Sequence, residues 1–201
     1  MNKAIFIEKD GTLIQGIPYN VDPDLITLET GVAEGLAKLK KEHYLFIIVS
    51  NQAGIAHGYF KEAAMINVQK KILQLLHPNQ IIINGFYYCP HHPQGKIKDY
   101  SVSCFCRKPQ PGLLLRAAKD FNIDLSKSWM IGDILNDMEA GKRAGCKTVL
   151  IKNGNETEWL VNDYRMPDYE AKDFADAASI IVNGVKQVSI NRHNDKKSVS
   201  I

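Results

Sequence analysis

Acidic residues at two places in the chain have the spacing of a magnesium site. Glu8 and Asp10 follow a short apolar run near the N-terminus, and Asp133 and Asp137 follow a later one. Ligands of α/β proteins bind at the carboxyl ends of parallel strands, so these acids can converge on one hard cation such as Mg²⁺, which prefers oxygen ligands. The alternative is that each acid caps a turn or the following helix.

Polar and basic residues lie between the two acidic pairs and suit an anion. Ser50 and Asn51 come after a second apolar run and offer a hydroxyl and backbone N–H groups. Arg107 and Lys108 precede a predicted helix and supply fixed positive charge. Each pair alone would be an ordinary loop, but their order along the chain predicts a phosphate site beside the cation.

A second cluster combines three cysteines with one histidine. Its members are Cys89, His91, Cys104 and Cys106. Three thiolates and one imidazole complete a tetrahedral set with no position for water, which predicts a structural zinc site. His92 is an alternative to His91, and unligated thiols remain a further alternative. The clustering favours metal over disulfides in a reducing compartment, whereas the isolated Cys146 is expected to be buried as a small apolar residue.

Short apolar runs alternate along the chain with longer segments of helical period, which is typical of a parallel sheet flanked by helices. The predicted strands are Ala4 to Ile7, Leu45 to Val49, Gly85 to Tyr88, Trp129 to Ile131 and Thr148 to Ile151. The predicted helices are Val32 to Lys41, Lys61 to Leu76, Gly112 to Phe121, Asp137 to Ala144 and Asp173 to Val182. Asn183 and Gly184 are expected to end the last helix.

Composition predicts a single domain. The chain has 201 residues, 45% hydrophobic and 23% charged, with a formal charge of +3 and no dense basic stripe. We expect one domain over residues 1–187, including the metal loop 89–106, and a flexible polar tail over 188–201. No signal peptide or membrane-spanning run is evident. We therefore expect a cytoplasmic monomer with neither nucleic acid nor membrane as a partner.

The two acidic pairs, the Ser-Asn pair and the Arg-Lys pair each form one short motif, or station, at a separate place in the chain. In their order along the chain, these four stations resemble the four motifs of phosphatases of the haloacid-dehalogenase (HAD) superfamily, over residues 3–180. The resemblance implies an α/β fold with a doubly wound, mainly parallel Rossmannoid sheet. It also implies phosphoryl transfer through an acyl-phosphate at position 8. Asp10 would act as general acid and base, Ser50 and Lys108 would hold the phosphoryl group, and Asp133 would hold Mg²⁺ together with Glu8 and Asp10.

The metal loop narrows the resemblance. Cys-Pro-His-His-Pro followed by Cys-x-Cys-Arg-Lys-Pro, and Ser-Asn-Gln-Ala-Gly-Ile-Ala from Ser50, are similar to the heptose 1,7-bisphosphate phosphatases and related histidinol-phosphate phosphatases. The resemblance implies a small phosphorylated sugar as substrate, with histidinol phosphate as the alternative, and no large cap domain. Zinc would order the loop and place Arg107 and Lys108 beside the phosphate.

Three residues depart from that pattern. Glu8 replaces the nucleophilic aspartate, and its extra methylene, ~1.5 Å in length, displaces the carboxylate or forces the side chain to fold back. A misplacement of about 1 Å can cost on the order of 10²-fold in rate. His57 and Ile134 replace an arginine and a lysine. Two functions stay open: an active Mg²⁺-dependent sugar phosphatase, or a catalytically impaired protein that binds a phosphate ligand or a partner. A deliberate substitution at position 8 is a third explanation.

Overall fold

Six parallel strands form one sheet at the centre of the protein. The computed structural model describes residues 1–160 and 162–184. The strands are β1 Ala4–Ile7, β2 Leu45–Asn51, β3 Gly85–Cys89, β4 Trp129–Gly132, β5 Lys147–Ile151 and β6 Tyr169–Ala171. Their order is β3-β2-β1-β4-β5-β6. Because β1 lies between β2 and β4, the chain reverses its winding direction at β1, and the carboxyl ends of these three strands meet there.

Helices cover both faces of the sheet, as a doubly wound fold requires. They are α1 Val32–Lys40, α2 Ala53–His57, α3 Met65–Leu76, α4 Gly112–Asp120, α5 Leu135–Ala144 and α6, residues 174–184. Successive residues of a strand point to opposite faces. Ile5 and Ile7 pack in the core formed with α1, α3 and α6, whereas Ala4 and Phe6 pack in the core formed with α4 and α5. The predicted fold class is confirmed.

The regions where a cap domain could be inserted are short. Residues 8–31 join β1 to α1 with one 3₁₀ turn, Pro23–Leu25, and residues 90–111 join β3 to α4 with another, Lys98–Tyr100. Neither segment forms a domain of its own, in agreement with the prediction of no large cap. Among the described helices, none is both long and apolar enough to cross a bilayer.

Several predicted boundaries differ from the structure. The sixth strand was not predicted because β6 has only three residues, of which Ala171 alone is buried. The five-residue helix α2 is also too short to show a helical period. The segment predicted as one helix from Lys61 begins with a 3₁₀ turn, Glu62–Ala64, before α3. Residues 183 and 184 are helical, so the last helix continues at least two residues beyond its predicted end at Val182. The predicted flexible tail, residues 188–201, lies outside the described residues.

Two boundaries change where site residues lie. The strand β2 continues to Asn51, so Ser50 is held inside a strand rather than in the loop after it. The helix α5 begins at Leu135, which makes Asp137 the third residue of the helix rather than its start. Both residues are therefore fixed by regular structure rather than by loops.

The contact between α1 and α6 depends on a glycine. Gly35 is buried in α1, and a Cβ placed on it would lie 2.7 Å from Phe174 Cδ1 and 2.8 Å from the Phe174 carbonyl oxygen. We expect Gly35→Val to lower the free energy of unfolding by about 1–3 kcal/mol, because α6 must move outward. Thermal or denaturant unfolding measures this, with the exposed Glu34→Val on the same helix as the control. Equal stability of the two variants would contradict the packing described.

Candidate active site and metal centre

Glu8 lies buried directly after β1, and both of its carboxylate oxygens are engaged. One oxygen accepts hydrogen bonds from Ser50 Oγ at 3.1 Å and from the Asp10 backbone N–H at 3.3 Å. The other forms an ion pair with Lys108 Nζ. The structure therefore brings together Glu8, Ser50 and Lys108, three residues that sequence analysis assigned to one reacting phosphoryl group.

The ammonium group of Lys108 is enclosed between two acids. Besides Glu8, it donates to Asp137 Oδ1 at 2.6 Å and to the Val49 carbonyl at 3.2 Å, and the residue is 2% exposed. Asp137 also accepts a hydrogen bond from the Ile134 N–H through its second oxygen. Asp137 thus both caps α5 and pairs with Lys108, so the capping alternative applies to this acid.

Asn51 supports the Lys108 backbone and is also among the residues that line the cleft beside Asp10. Its side-chain amide donates to the Lys108 carbonyl at 3.0 Å and accepts from the Lys108 N–H at 3.0 Å. This paired contact joins the end of β2 to the segment before α4. Asn51 was predicted to bind substrate, and in the structure both functional groups of its side chain are used to position Lys108.

Two residues that sequence analysis did not single out hold Asp10. Gln52 Nε2 donates to Asp10 Oδ2 at 3.0 Å and to Ser50 Oγ at 2.8 Å. Lys9 Nζ contacts Asp10 Oδ1 at 2.6 Å, although Lys9 is only 1% exposed. Asp10 itself keeps about a third of its side chain in contact with solvent. A signal for Gln52 was available, because it directly follows the Ser-Asn pair.

Asp133 is a buried carboxylate with one donor on each oxygen. Thr12 Oγ1 donates to Oδ1 at 2.9 Å, and Asn155 Nδ2 donates to Oδ2 at 2.8 Å. Burial and the charge of Asp137 raise the pKa of Asp133 to about 6, while the bonds from Asn155 and Thr12 oppose that shift. A cation beside this carboxylate would stabilise its charged form.

The charges at this end of the sheet are unbalanced in a way that suits a divalent cation. The ionisable groups that meet there are Lys9, Lys108, Glu8, Asp10, Asp133 and Asp137. Two positive charges oppose four negative ones, so a phosphate anion would be repelled unless a cation came with it. The predicted ligands Glu8, Asp10 and Asp133 supply the oxygen donors that Mg²⁺ prefers. The residues present therefore fit the ion.

A cleft of about 390 Å³ opens over Asp10. Gly11, Gln52, Tyr19 and Asn155 are among the residues that line it. The predicted phosphate ligand Arg107 does not line this cleft. It lines a neighbouring cleft of about 480 Å³ together with Lys108 and donates to the carbonyl oxygen of His91 at 3.4 Å.

Four aromatic side chains form a cluster between the two clefts, which we call the aromatic rim. Its members are Tyr19, His57, Tyr59 and His92. The ring centroids of Tyr19 and Tyr59 are 4.7 Å apart, His57 stacks on Tyr59 at 5.5 Å, and His92 lies 4.8 Å from His57. Both tyrosines are more than half exposed. Sequence analysis missed the rim because its members come from three separate segments.

The predicted metal ligands converge on one point. The ligand atoms of Cys89, His91, Cys104 and Cys106 all lie within 4.8 Å of one another, and this is the group of metal-ligating type found among the described residues. The three sulfur atoms are 3.1–3.4 Å apart, well beyond a disulfide bond of about 2.05 Å. His91 Nδ1 lies 3.4 Å from Cys106 Sγ. This arrangement can hold a metal ion.

The neighbouring histidine and the fourth cysteine are not part of this group. His92 Nδ1 accepts a hydrogen bond from the Gln94 N–H at 3.2 Å, and its ring belongs to the aromatic rim. His91 is therefore the ligand that the geometry favours. Cys146 packs in the core beside α4 and α5, where burial raises the pKa of its thiol, as expected for a structural residue.

Burial affects the thiols of the cluster unevenly. It is the main cause that raises the pKa of both Cys89 and Cys106. At Cys104, burial is the largest single influence and opposes ionisation, but hydrogen bonds from the other two thiols and from the Arg107 and Cys106 backbone together lower the pKa. A metal ion bound at the cluster would stabilise the thiolate form of all three cysteines.

The outer part of the metal loop is held by the rest of the protein. The N–H groups of Lys96 and Ile97 both donate to the carbonyl oxygen of Ala56, at 2.7 and 2.9 Å. Glu62 accepts hydrogen bonds from Tyr100 at 2.7 Å and Tyr88 at 3.0 Å. Burial and the bond to Glu62 raise the pKa of Tyr88 to about 12. The loop is therefore anchored at two places besides its metal ligands.

Comparison with known proteins identifies relatives that match most of this chain. A family model described as HAD-hydrolase-like matches residues 105–177. The D-glycero-beta-D-manno-heptose-1,7-bisphosphate 7-phosphatase of Pasteurella multocida is 44% identical over 155 residues, 77% of this chain and 84% of that protein. The same enzyme of Escherichia coli K12 is 37% identical over 168 residues, 79% and 88% of the two chains.

Solved structures agree with these sequence relatives. A HAD-like phosphatase structure from Mesorhizobium loti has a TM-score of 0.78 and 30% identity, and covers 90% of this chain and 86% of its own. The D,D-heptose 1,7-bisphosphate phosphatase of B. bronchiseptica, complexed with magnesium and phosphate, has a TM-score of 0.76 and 26% identity. That match covers 90% of this chain and 99% of the other.

The thiol cluster generates a prediction about metal content. We expect the purified protein to contain about one zinc ion per chain, because three sulfurs and one imidazole nitrogen suit zinc. The double variant Cys104→Ser/Cys106→Ser should lose that zinc in elemental analysis. The matched control Cys146→Ala changes a cysteine outside the cluster and should retain it. Unchanged zinc content in the double variant would contradict the assignment.

Proposed function

Because the chain belongs to the family of heptose-1,7-bisphosphate 7-phosphatases within the HAD-like hydrolases, we propose that it is a Mg²⁺-dependent sugar-phosphate phosphatase. The proposed substrate is D-glycero-beta-D-manno-heptose 1,7-bisphosphate, the compound named for its relatives. One observation carries the proposal: Glu8, Ser50 and Lys108 meet at the carboxyl end of β1, beside the cleft over Asp10. The charge excess there, and the magnesium and phosphate in the B. bronchiseptica structure, support the cation.

The residues of this chain supply each part of phosphoryl transfer. Ser50 Oγ and the Lys108 ammonium bind the equatorial oxygens of the phosphoryl group, because Ser50 donates a hydrogen bond to the Glu8 carboxylate and Lys108 forms an ion pair with it. When bound, Mg²⁺ would be held by Glu8, Asp10 and Asp133 and would neutralise charge on the phosphate. Gln52 and Lys9 orient Asp10 towards the cleft.

Two steps account for the chemistry. In the first, a Glu8 carboxylate oxygen forms a bond to phosphorus while the bond to the sugar oxygen breaks and Asp10 gives that oxygen its proton. In the second, Asp10 takes a proton from water as the water oxygen attacks phosphorus, which releases inorganic phosphate and restores Glu8. In an alternative for the same residues, Glu8 orients a water molecule that attacks directly.

The contacts of Glu8 favour slow turnover. Its longer side chain places one oxygen on Lys108 and the other on Ser50 and the Asp10 N–H, so the nucleophile is displaced towards the groups that should hold the phosphate. This observation supports the second candidate function, in which the protein binds a phosphate ligand or a partner with impaired catalysis.

The aromatic rim is proposed to contact the part of the substrate that is not transferred. Tyr19 lines the cleft over Asp10 and also packs on Tyr59, so a substrate with its phosphate at Lys108 would extend over the rim. His57 lies in this rim, at a position where the family resemblance implies an arginine. Aromatic rings bind flat groups by stacking and cations by cation–π attraction. Histidinol phosphate therefore stays the alternative substrate, because its imidazole ring can stack on the rim.

Zinc is proposed to have a structural role, because the four ligands leave no open position for water. It would hold the segment that leads into Arg107 and Lys108 against the end of β3, where Cys89 lies. The single-domain assignment of residues 1–187, the monomeric state and the cytoplasmic location stay predictions.

The role of position 8 is tested by changing its length and its charge separately. We expect Glu8→Asp to release phosphate from heptose 1,7-bisphosphate with Mg²⁺ on the order of 10²-fold faster than the unchanged chain, because the shorter carboxylate retreats from Lys108. The control Glu8→Gln keeps the length without the charge and should be inactive. Phosphate release is measured for the same three proteins with histidinol phosphate. If none releases phosphate from either compound, the phosphatase proposal is wrong.

The rim generates a separate expectation about substrate binding. Tyr19→Ala and Tyr59→Ala should raise KM for the preferred sugar phosphate several-fold with little change in kcat, because the rim contacts the substrate before and during reaction alike. Steady-state kinetics measure this, with Tyr164→Ala as the control, since Tyr164 is equally exposed but packs on Arg143. An unchanged KM in both rim variants would contradict the proposed contact.

A further inference from the structure

The loop after β5 reaches back to the proposed magnesium ligands. Residues 153–156, which we call the bracing loop, follow the strand end at Ile151. Asn155 Nδ2 donates to Asp133 Oδ2 at 2.8 Å, and Asn153 Nδ2 donates to the Gly11 carbonyl at 2.6 Å. One short loop therefore contacts both acidic stations, the one after β1 and the one after β4.

The turn at Gly11 is shaped to admit this contact. Gly11 has a φ of +77°, and a Cβ on it would lie 2.2 Å from Asp133 Oδ2 and 2.4 Å from Asn155 Nδ2. The absence of a side chain thus lets the backbone after β1 pass directly beside the hydrogen bond between Asn155 and Asp133. The bond lies within the proposed site, and Asn155 lines the cleft over Asp10.

The bracing loop is held in place from its other end. The Asn155 N–H donates to Asn153 Oδ1 at 3.2 Å, and Glu156 accepts a hydrogen bond from the Leu135 N–H at the start of α5. The loop is consequently tied to the turn after β1 and to the first residue of α5. These ties fix the position from which Asn155 reaches Asp133.

Asn155 restricts how the Asp133 carboxylate can turn. Thr12 donates to one oxygen and Asn155 to the other, so the plane of the carboxylate is set by two donors from different segments. Each oxygen accepts one hydrogen bond and retains a lone pair for a cation. The negative charge of Asp137 disfavours the ionised form of Asp133, and the hydrogen bonds from Thr12 and Asn155 counteract this effect.

We propose that Asn155 is a positioning residue that fixes the Asp133 carboxylate for divalent-cation binding. The inference rests on the proposed Mg²⁺-dependent function. Asn155 acts through Asp133, as partners of metal ligands commonly do, and removing such a partner typically weakens metal binding 10- to 100-fold. Asn155 is exposed apart from its amide contact, so truncating its side chain creates no core cavity.

The test measures Mg²⁺ binding directly by isothermal titration calorimetry on the whole protein. We expect the dissociation constant for Mg²⁺ to rise about 10- to 100-fold in Asn155→Ala. Asn155→Ser is a second variant, because its hydroxyl is too short to replace the amide, and it should show the same loss. Asn162→Ala is the matched control: Asn162 accepts hydrogen bonds from the Tyr164 and Arg165 N–H groups farther along the chain. Its Mg²⁺ affinity should stay within about twofold of the unchanged chain.

The outcomes separate this inference from the proposed function. Unchanged Mg²⁺ affinity in both Asn155 variants, or no measurable Mg²⁺ binding by the unchanged chain, overturns the inference. A lower affinity in Asn162→Ala equal to that in Asn155→Ala also overturns it, since the loss would then be a general effect of the segment. If the unchanged chain binds Mg²⁺ but releases no phosphate from sugar phosphates, the proposed function fails. The role of Asn155 is then still decided by comparing the Mg²⁺ affinities of its variants with that of the unchanged chain.

Discussion

The buried ammonium of Lys108 is the constraint around which the site is organised. A charge enclosed by protein costs several kcal/mol unless opposite charges and hydrogen bonds surround it. Here the compensation comes from Glu8 after β1, the Val49 carbonyl in β2 and Asp137 in the first turn of α5. Three elements that are distant in sequence must therefore stay in register. The same contact ties the ends of β1 and β2 to the start of α5.

This constraint explains why a glutamate is tolerated at position 8. An uncharged residue there would leave Lys108 with one acid fewer, whereas a glutamate retains the ion pair at the expense of geometry. The folded state depends on the charge at position 8, and the reaction depends on where that charge lies. These two requirements respond differently to one additional methylene group.

The sequence contained enough information to predict the sheet and the residues with unusual chemistry. Buried strands such as β1 and the first five residues of β2 are continuous apolar runs, and the four predicted metal ligands come in two close pairs. The sequence did not reveal which side chains orient those residues. Gln52, Lys9 and Asn155 are ordinary polar side chains, and only the three-dimensional arrangement shows which carboxylate each one contacts. The edge strand β6 was missed because three residues, of which one is buried, are too few to show the hydrophobic pattern of a strand.

The double anchoring of the metal loop has a consequence for how the site responds to loss of its ion. Ala56 and Glu62 hold the outer part of the loop to the protein body independently of the cysteines. The ligands therefore remain at a high effective concentration relative to one another after the ion leaves, and the entropic cost of regathering them is small. We therefore expect the loss of a bound ion to be local and reversible, unlike that of a zinc finger, in which the whole domain unfolds with its metal.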